Sequence, residues 1–164
     1  MESARVVRLG EVVPITYGGG EETRFLLRAE DTGGSLSCYE VKMPAGEGSV
    51  WHVHHGTDES FYVLDGEFEV KVGDEIHKAP AGTMVFGPRG VPHSFYNVSD
   101  RVSTMVCTMT PGGIELFFEE LSEVLTRPER PGWEEIKAVG ERHHISADRP
   151  QGGPHGGPPV TAAS

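Results

Sequence analysis

An all-β barrel or sandwich is the fold class this sequence predicts, on three observations. Short apolar runs recur at close spacing, turn residues separate them, and no helical periodicity intervenes before about residue 112. The 164 residues make one domain, long enough to bury a core without staples. The 22 glycines and 12 prolines are high for a compact helical protein and suit short strands joined by tight turns. A closed barrel also removes the exposed edges that so many short strands would create.

Taken in order, the strands are expected at VVPITY, TRFLLRA, LSCYEVKM, VWHVHH, SFYVLDG, EFEVKV, TMVFG, HSFYNV and VSTMVCTM, a barrel over about residues 12–110. After Met109-Thr110-Pro111 the pattern changes. GGIELFFEELSEVL places Ile114, Phe117, Phe118, Leu121 and Leu125 at helical spacing, and WEEIKAVGERHHI offers a second, weaker helix after Pro128 and Pro131. These helices, over about 112–145, pack outside the barrel or cover one mouth. The folded domain is thus expected over 1–146. Residues 147–164, ending QGGPHGGPPVTAAS, have the composition of a flexible Pro/Gly-rich tail, and no internal repeat is visible.

The chemistry is concentrated in two blocks, GEGSVWHVHHGTDESFYVLDG and GTMVFGPRGVPHSFYN. Side chains alternate across a strand, so His52 and His54 share a face with alpha carbons about 6.5 Å apart, close enough for two imidazoles to meet on one ion at roughly 2.0–2.1 Å. His55 has the opposite parity and faces away; it would replace His54 only if the strand were bulged. Gly56-Thr57-Asp58 has turn composition, so Glu59 opens the next strand and can reach the same ion. His93 follows the irregular stretch Pro88-Arg89-Gly90-Val91-Pro92 and opens HSFYNV, the natural place for a fourth ligand. Three imidazoles and a carboxylate are the donor set of a divalent transition metal. His77 in a hairpin-like segment, His143 and His144 in the late helical stretch, and His155 in the tail are not part of it.

Gly46, His52, His54, Glu59 and Gly66, then Gly82, Pro88, Gly90, His93 and Asn97, resemble the two signature motifs of the cupin superfamily at every defined position. The resemblance covers about a third of the chain directly. It implies a double-stranded β-helix of jelly-roll topology with one or two C-terminal helices, and a single metal ion held by His52, His54, Glu59 and His93. Among small single-domain cupins, HVHH…E…FYVL followed by a C-terminal FFEEL helix looks like the quercetinase-type dioxygenases. In that group a substrate hydroxyl is deprotonated, the ion holds the resulting enolate, and dioxygen cleaves a ring carbon–carbon bond. Nickel, iron, manganese, cobalt, copper and zinc all suit such ligands. Family habit implies a homodimer through sheet edges.

Residues sharing parity with the ligands face inward: Phe61 and Val63 beyond Glu59, and Phe95 beyond His93, are the candidate substrate-pocket residues. Tyr39 or Cys38, Met84 or Phe86, and Met105 or Cys107 stay open until the strand register is known. An apolar pocket with one charged centre suits a planar or aromatic substrate that chelates through oxygen. Glu59 is the candidate catalytic residue, a carboxylate that can act as general base for the substrate proton.

Charge narrows the partners. Fourteen basic against 25 acidic residues leave a net charge of −11 and a pI near 5.1, which argues against nucleic acid or an anionic membrane. No apolar run approaches the ~18 residues needed to span a bilayer, and MESARVVRLGEVV lacks a signal peptide's apolar block, so a cytoplasmic location is expected. Cys38 and Cys107 lie in apolar strands without a paired motif and read as buried reduced thiols, with Cys107 either in the core or on the cavity wall. The expected partner is a small-molecule substrate, with dioxygen as co-substrate. The foremost reading is a metal-dependent dioxygenase acting on a flavonol-like or other enolisable, chelating aromatic. The alternatives are a non-oxidative enzyme, such as a polyketide cyclase/aromatase or isomerase, and a metal-stabilised small-molecule-binding module.

Overall fold

The computed structural model describes residues 4–8, 10–17 and 19–150. Strands β1 (Ile15–Thr16), β2 (Glu22–Leu27), β3 (Ser37–Met43), β4 (His52–His54), β5 (Asp58–Asp65), β6 (Glu67–Val72), β7 (Glu75–Pro80), β8 (Met84–Gly87), β9 (His93–Asn97) and β10 (Ser103–Thr110) come first. Helices α1 (Ile114–Leu125) and α2 (Trp133–Arg142) follow, and β11 (Ile145–Ala147) is the last described element. The strands form two antiparallel sheets, in the orders β1-β2-β3-β10-β5-β8 and β11-β4-β9-β6-β7. This is the double-stranded β-helix.

Alternation builds the core. On β10, Ser103, Met105, Cys107 and Met109 are all buried while their neighbours are half-buried, and on β5 the inward set is Glu59, Phe61 and Val63. Phe68 and Val70 from β6 meet them from the opposing sheet, with no exposure at either residue. The hairpin between β5 and β6 turns at Gly66, whose φ of +83° no bulky residue adopts readily, and a Cβ there would stand 1.9 Å from Ser103 Oγ. Only glycine fits that corner.

Helix α1 is anchored at its first turn. The buried Glu115 carboxylate accepts hydrogen bonds from the Ala29 amide at 2.8 Å and the Ser37 hydroxyl at 2.6 Å, and a negative charge there also suits the helix N-terminus. Across from it, α2 packs on β11 through Val139 and Gly140, both buried. None of the described helices is long and apolar enough to cross a membrane.

Several elements differ from the expectation. VVPITY contracts to the two residues of β1, and β7, EIHKAP, forms a strand although four of its residues are exposed in succession and no alternation marks it. The second helix stops at Arg142 instead of running on to Ile145. His144 adopts φ 58°, in the left-handed region, which reverses the chain, and Ile145, Ser146 and Ala147 then pair with His54, Val53 and His52. Ala147 therefore closes a strand and does not begin a flexible tail. Residues 151–164 of that expected tail, including His155, lie outside the described residues.

Candidate metal centre

Four donors converge between the two sheets. His52 and His54 come from β4 and His93 from β9 of one sheet, joined by the register pair His52↔His93, while Glu59 comes from β5 of the other. One ligand atom from each of the four lies within 4.8 Å of every other. His52 Nε2 is 3.1 Å from His54 Nε2, and Glu59 Oε2 is 3.0 Å from His93 Nε2 and 3.4 Å from His54 Nε2. His54, Glu59 and His93 are 5%, 3% and 1% exposed, so the donors are almost sealed from bulk water.

The second sphere settles which atoms face inward. His52 Nδ1 lies 2.7 Å from the Val50 carbonyl and His93 Nδ1 lies 2.9 Å from the Val91 carbonyl. A carbonyl only accepts, so both Nδ1 atoms carry the proton, and each Nε2 turns a lone pair toward the centre. In both cases the anchoring carbonyl belongs to residue i−2. Glu59 Oε1 in turn accepts a 2.5 Å hydrogen bond from the Tyr39 hydroxyl, which leaves Oε2 to the imidazoles.

Electrostatics agree with a ligand role. Burial, and then the neighbouring His54 and His93, hold His52 down to about 3, so it stays a neutral lone-pair donor. Burial alone would raise Glu59, but in the ion-free site the His54 and His93 imidazoles, when they bear a proton on the nitrogen that faces it, hydrogen-bond the carboxylate, outweigh burial and hold the carboxyl well below its usual range. Tyr39 is pushed far up by burial and by the Glu59 charge, so its phenol remains a donor. Lone pairs and a carboxylate brought to about 3 Å repel unless a cation or a proton sits among them. Three neutral imidazoles and one carboxylate around a divalent ion leave a net charge of about +1. The donor set thus fits a divalent transition ion.

The other motif residues are structural. Asn97 is fully buried; its Nδ2 donates to the carbonyls of Met43, Pro44 and Arg101, and its Oδ1 accepts from the Ser99 amide and the Ser103 hydroxyl. Arg89 grips the Asp58 carboxylate through Nε and a terminal nitrogen, tying the loop before β9 to the start of β5. His55 points away from the centre and meets Ser146 Oγ at 2.8 Å, as its parity requires. His77 lies on β7, and His143 caps α2 and pairs with Glu120.

Above the donors opens a cavity of about 450 Å³. Phe95 and Tyr39 line it, together with Phe117, Phe118, Leu121 and Leu125 from α1 and Ile136 from α2, so the helices roof the mouth of the barrel. Phe61 and Val63 do point inward, but both have zero exposure and neither lines this cavity. Below Glu59 the sheets are closely packed, and Phe61 is spent backing the site, with its ring centroid 5.8 Å from those of both His93 and Phe95. Among the open alternatives, Tyr39 faces the cavity rather than Cys38, Met84 and Phe86 are both exposed, and Met105 and Cys107 are both core. The helical contribution to the wall was written in the α1 periodicity; Tyr17, which also lines the cavity, carried no signal beyond being an aromatic near a strand.

Comparisons with known proteins give the same architecture. A cupin domain model matches residues 39–109. Protein SchB of Streptomyces halstedii is 31% identical over 111 residues, covering 67% of this chain and 80% of that protein. Quercetin 2,3-dioxygenase of Bacillus subtilis is 29% identical over 135 residues, 74% of this chain but only 40% of that protein, so this chain spans less than half of its length. Polyketide synthase CurC of Streptomyces cyaneus is 28% identical over 146 residues, 78% of this chain and 94% of that one. Among solved structures, KdgF from Halomonas sp. matches with a TM-score of 0.63 at 18% identity, covering 70% of this chain and 99% of its own. With the motifs, the rolled pair of sheets and the three-histidine, one-glutamate cluster in one place, the chain belongs to the cupin superfamily.

Proposed function

We propose that this protein is a metal-dependent enzyme acting on a planar, enolisable aromatic that chelates through oxygen, and specifically a dioxygenase of the quercetinase kind. The observation that carries the reading is the placing of His52, His54, Glu59 and His93 at the base of an apolar cavity whose volume suits a molecule of several rings. Similarity to quercetin 2,3-dioxygenase over 74% of this chain supports the choice of reaction.

His52, His54, Glu59 and His93 would hold the ion, which when bound acidifies a substrate hydroxyl and draws charge onto it. The chain's own residues do the rest. Val50 and Val91 carbonyls keep two imidazoles aimed inward, and Tyr39 holds Glu59 through Oε1 so that Oε2 stays beside the imidazoles to serve the ion. Oε1 is then the atom that takes the substrate proton. Phe95, Phe117 and Phe118 grip the ring system, and the α1–α2 roof keeps water from the deprotonated substrate. Dioxygen is the co-substrate, and the ring carbon–carbon bond is the one cleaved.

A second reading has its own support. CurC, named a polyketide synthase, is matched over 94% of its length, which favours a non-oxidative cyclase or aromatase using the same cavity and the same proton acceptor. Elemental analysis of tag-free protein, coupled to an oxygen electrode and a panel of flavonols and other chelating enols, separates the two. Turnover with stoichiometric oxygen uptake supports the dioxygenase, and turnover without it supports the cyclase. Protein that holds no divalent metal under any loading condition ends both. We also propose a cytoplasmic homodimer, joined through the edge at β8, where Tyr62, Leu64, Met84 and Phe86 form an exposed apolar strip.

A further inference from the structure

Strand β10 lies between β3 and β5, so Tyr39 and Glu59 do not stand on neighbouring strands. Tyr39 sits opposite Cys107 of β10 and Glu59 opposite Met109, and the phenol reaches diagonally across β10 to put its hydroxyl 2.5 Å from Glu59 Oε1. The ring is buried and held between Phe25 and Phe118, with centroids 5.2 and 5.4 Å away. A hydroxyl anchored in this way and donating to a charged carboxylate at short range is a strong, fixed contact. It engages Oε1, while Oε2 lies 3.0 Å from His93 Nε2 and 3.4 Å from His54 Nε2.

A carboxylate with both oxygens free can take two positions at one ion, closing a place that an incoming ligand would need. The place that matters here is on the cavity side, because Tyr39, His52, His54 and Glu59 line the cavity whereas His93 does not. We infer that Tyr39 is a positioning residue that holds Glu59 to ligation through one oxygen and so keeps a position at the ion open toward the cavity. The inference rests on the four-residue ion site of the proposed function, and it is independent of the substrate and of whether oxygen is consumed. What the open position takes is an anionic oxygen or nitrogen donor entering from the cavity, since three neutral imidazoles and one carboxylate leave a divalent ion with a net positive charge.

The test uses cobalt(II)-loaded protein titrated with azide, a small anion that binds through one nitrogen and makes no demand on the aromatic wall. Its charge-transfer absorption reports binding at the ion itself. Wild type is expected to hold one cobalt per chain and to give a saturable azide band. Tyr39→Phe keeps the ring and its packing; it should retain cobalt and bind azide about tenfold more weakly, the low end of what removing an outer partner of a metal ligand does. The same substitution on a Glu59→Gln background, with cobalt in excess, should cost nothing further, because an amide has a single ligating oxygen in either case. Equal azide affinity in wild type and Tyr39→Phe, or the same tenfold loss on the Glu59→Gln background, overturns the inference and leaves the proposed function standing. A Tyr39→Phe protein that unfolds or sheds its cobalt also overturns it, since the hydroxyl then serves the fold or the retention of the ion. Wild type that holds cobalt but takes no azide has no open position and overturns it too. Wild type that holds no cobalt or other divalent metal removes the inference and the proposed function together.

Discussion

His52, His54, Glu59 and His93 were legible because a strand has only two faces: once the turn at residues 56–58 is read, parity alone decides which side chains meet. The pocket residues were less legible, because parity gives the direction of a side chain but not its depth in the barrel. Phe61 shares Glu59's face yet sits one layer lower, in packed core. Three predictions belong at this scale. His52→Ala, His54→Ala and His93→Ala should each remove most bound metal by elemental analysis, since too few nitrogen ligands remain. Glu59→Gln should keep part of the metal while losing turnover, because an amide coordinates weakly and cannot take a proton; a variant with unchanged activity ends Glu59's role as base. Asn97→Ala should cost on the order of 2–4 kcal/mol in urea unfolding, because it strands three carbonyls that now share one amide group.

Among elements, β11 is the one that sequence patterning concealed. HHISA is short, partly polar and adjacent to a helix, so neither alternation nor a turn signature marks it, and only the partner strand reveals its role. That partner is β4, which carries two of the ligands and meets β9 through the single register pair at His52. The support is continued beyond the strand, from the His55 amide to the His144 carbonyl and from the Asp148 amide to the Trp51 carbonyl. Gly140 tests this arrangement. Alanine there would gain about 1 kcal/mol in helix propensity, but its Cβ would lie 2.9 Å from the Ile145 carbonyl oxygen, and crowding against backbone costs about 1–3 kcal/mol. Gly140→Ala should therefore lower stability on balance and weaken metal retention as well, and a stabilised variant with full metal content would show that α2 does not set the position of β4.

For the molecule as a whole, the all-β architecture and the switch to helix after Pro111 followed from patterning, whereas the placing of α1 and α2 over the barrel mouth depended on long-range contacts such as Glu115 with Ser37 that no local signal contains. The chain carries a net charge of −11, and against that background Tyr62, Leu64, Met84 and Phe86 on β5 and β8 are exposed apolar side chains, the strip on which the proposed dimer rests. Phe86→Glu tests that proposal: light scattering is expected to find wild type dimeric and the variant monomeric, without loss of bound metal, and a monomeric wild type ends the proposed dimer. The arrangement of the donors has a wider effect, because three belong to one sheet and the fourth to the other. A cation seated there rivets the two halves of the barrel, and an ion present at 100 times its dissociation constant would add about 2.7 kcal/mol to folding. Heat resistance then becomes a ruler for metal preference: chelator-treated samples melt earliest, and the ion that delays melting most is the one this barrel is shaped to keep.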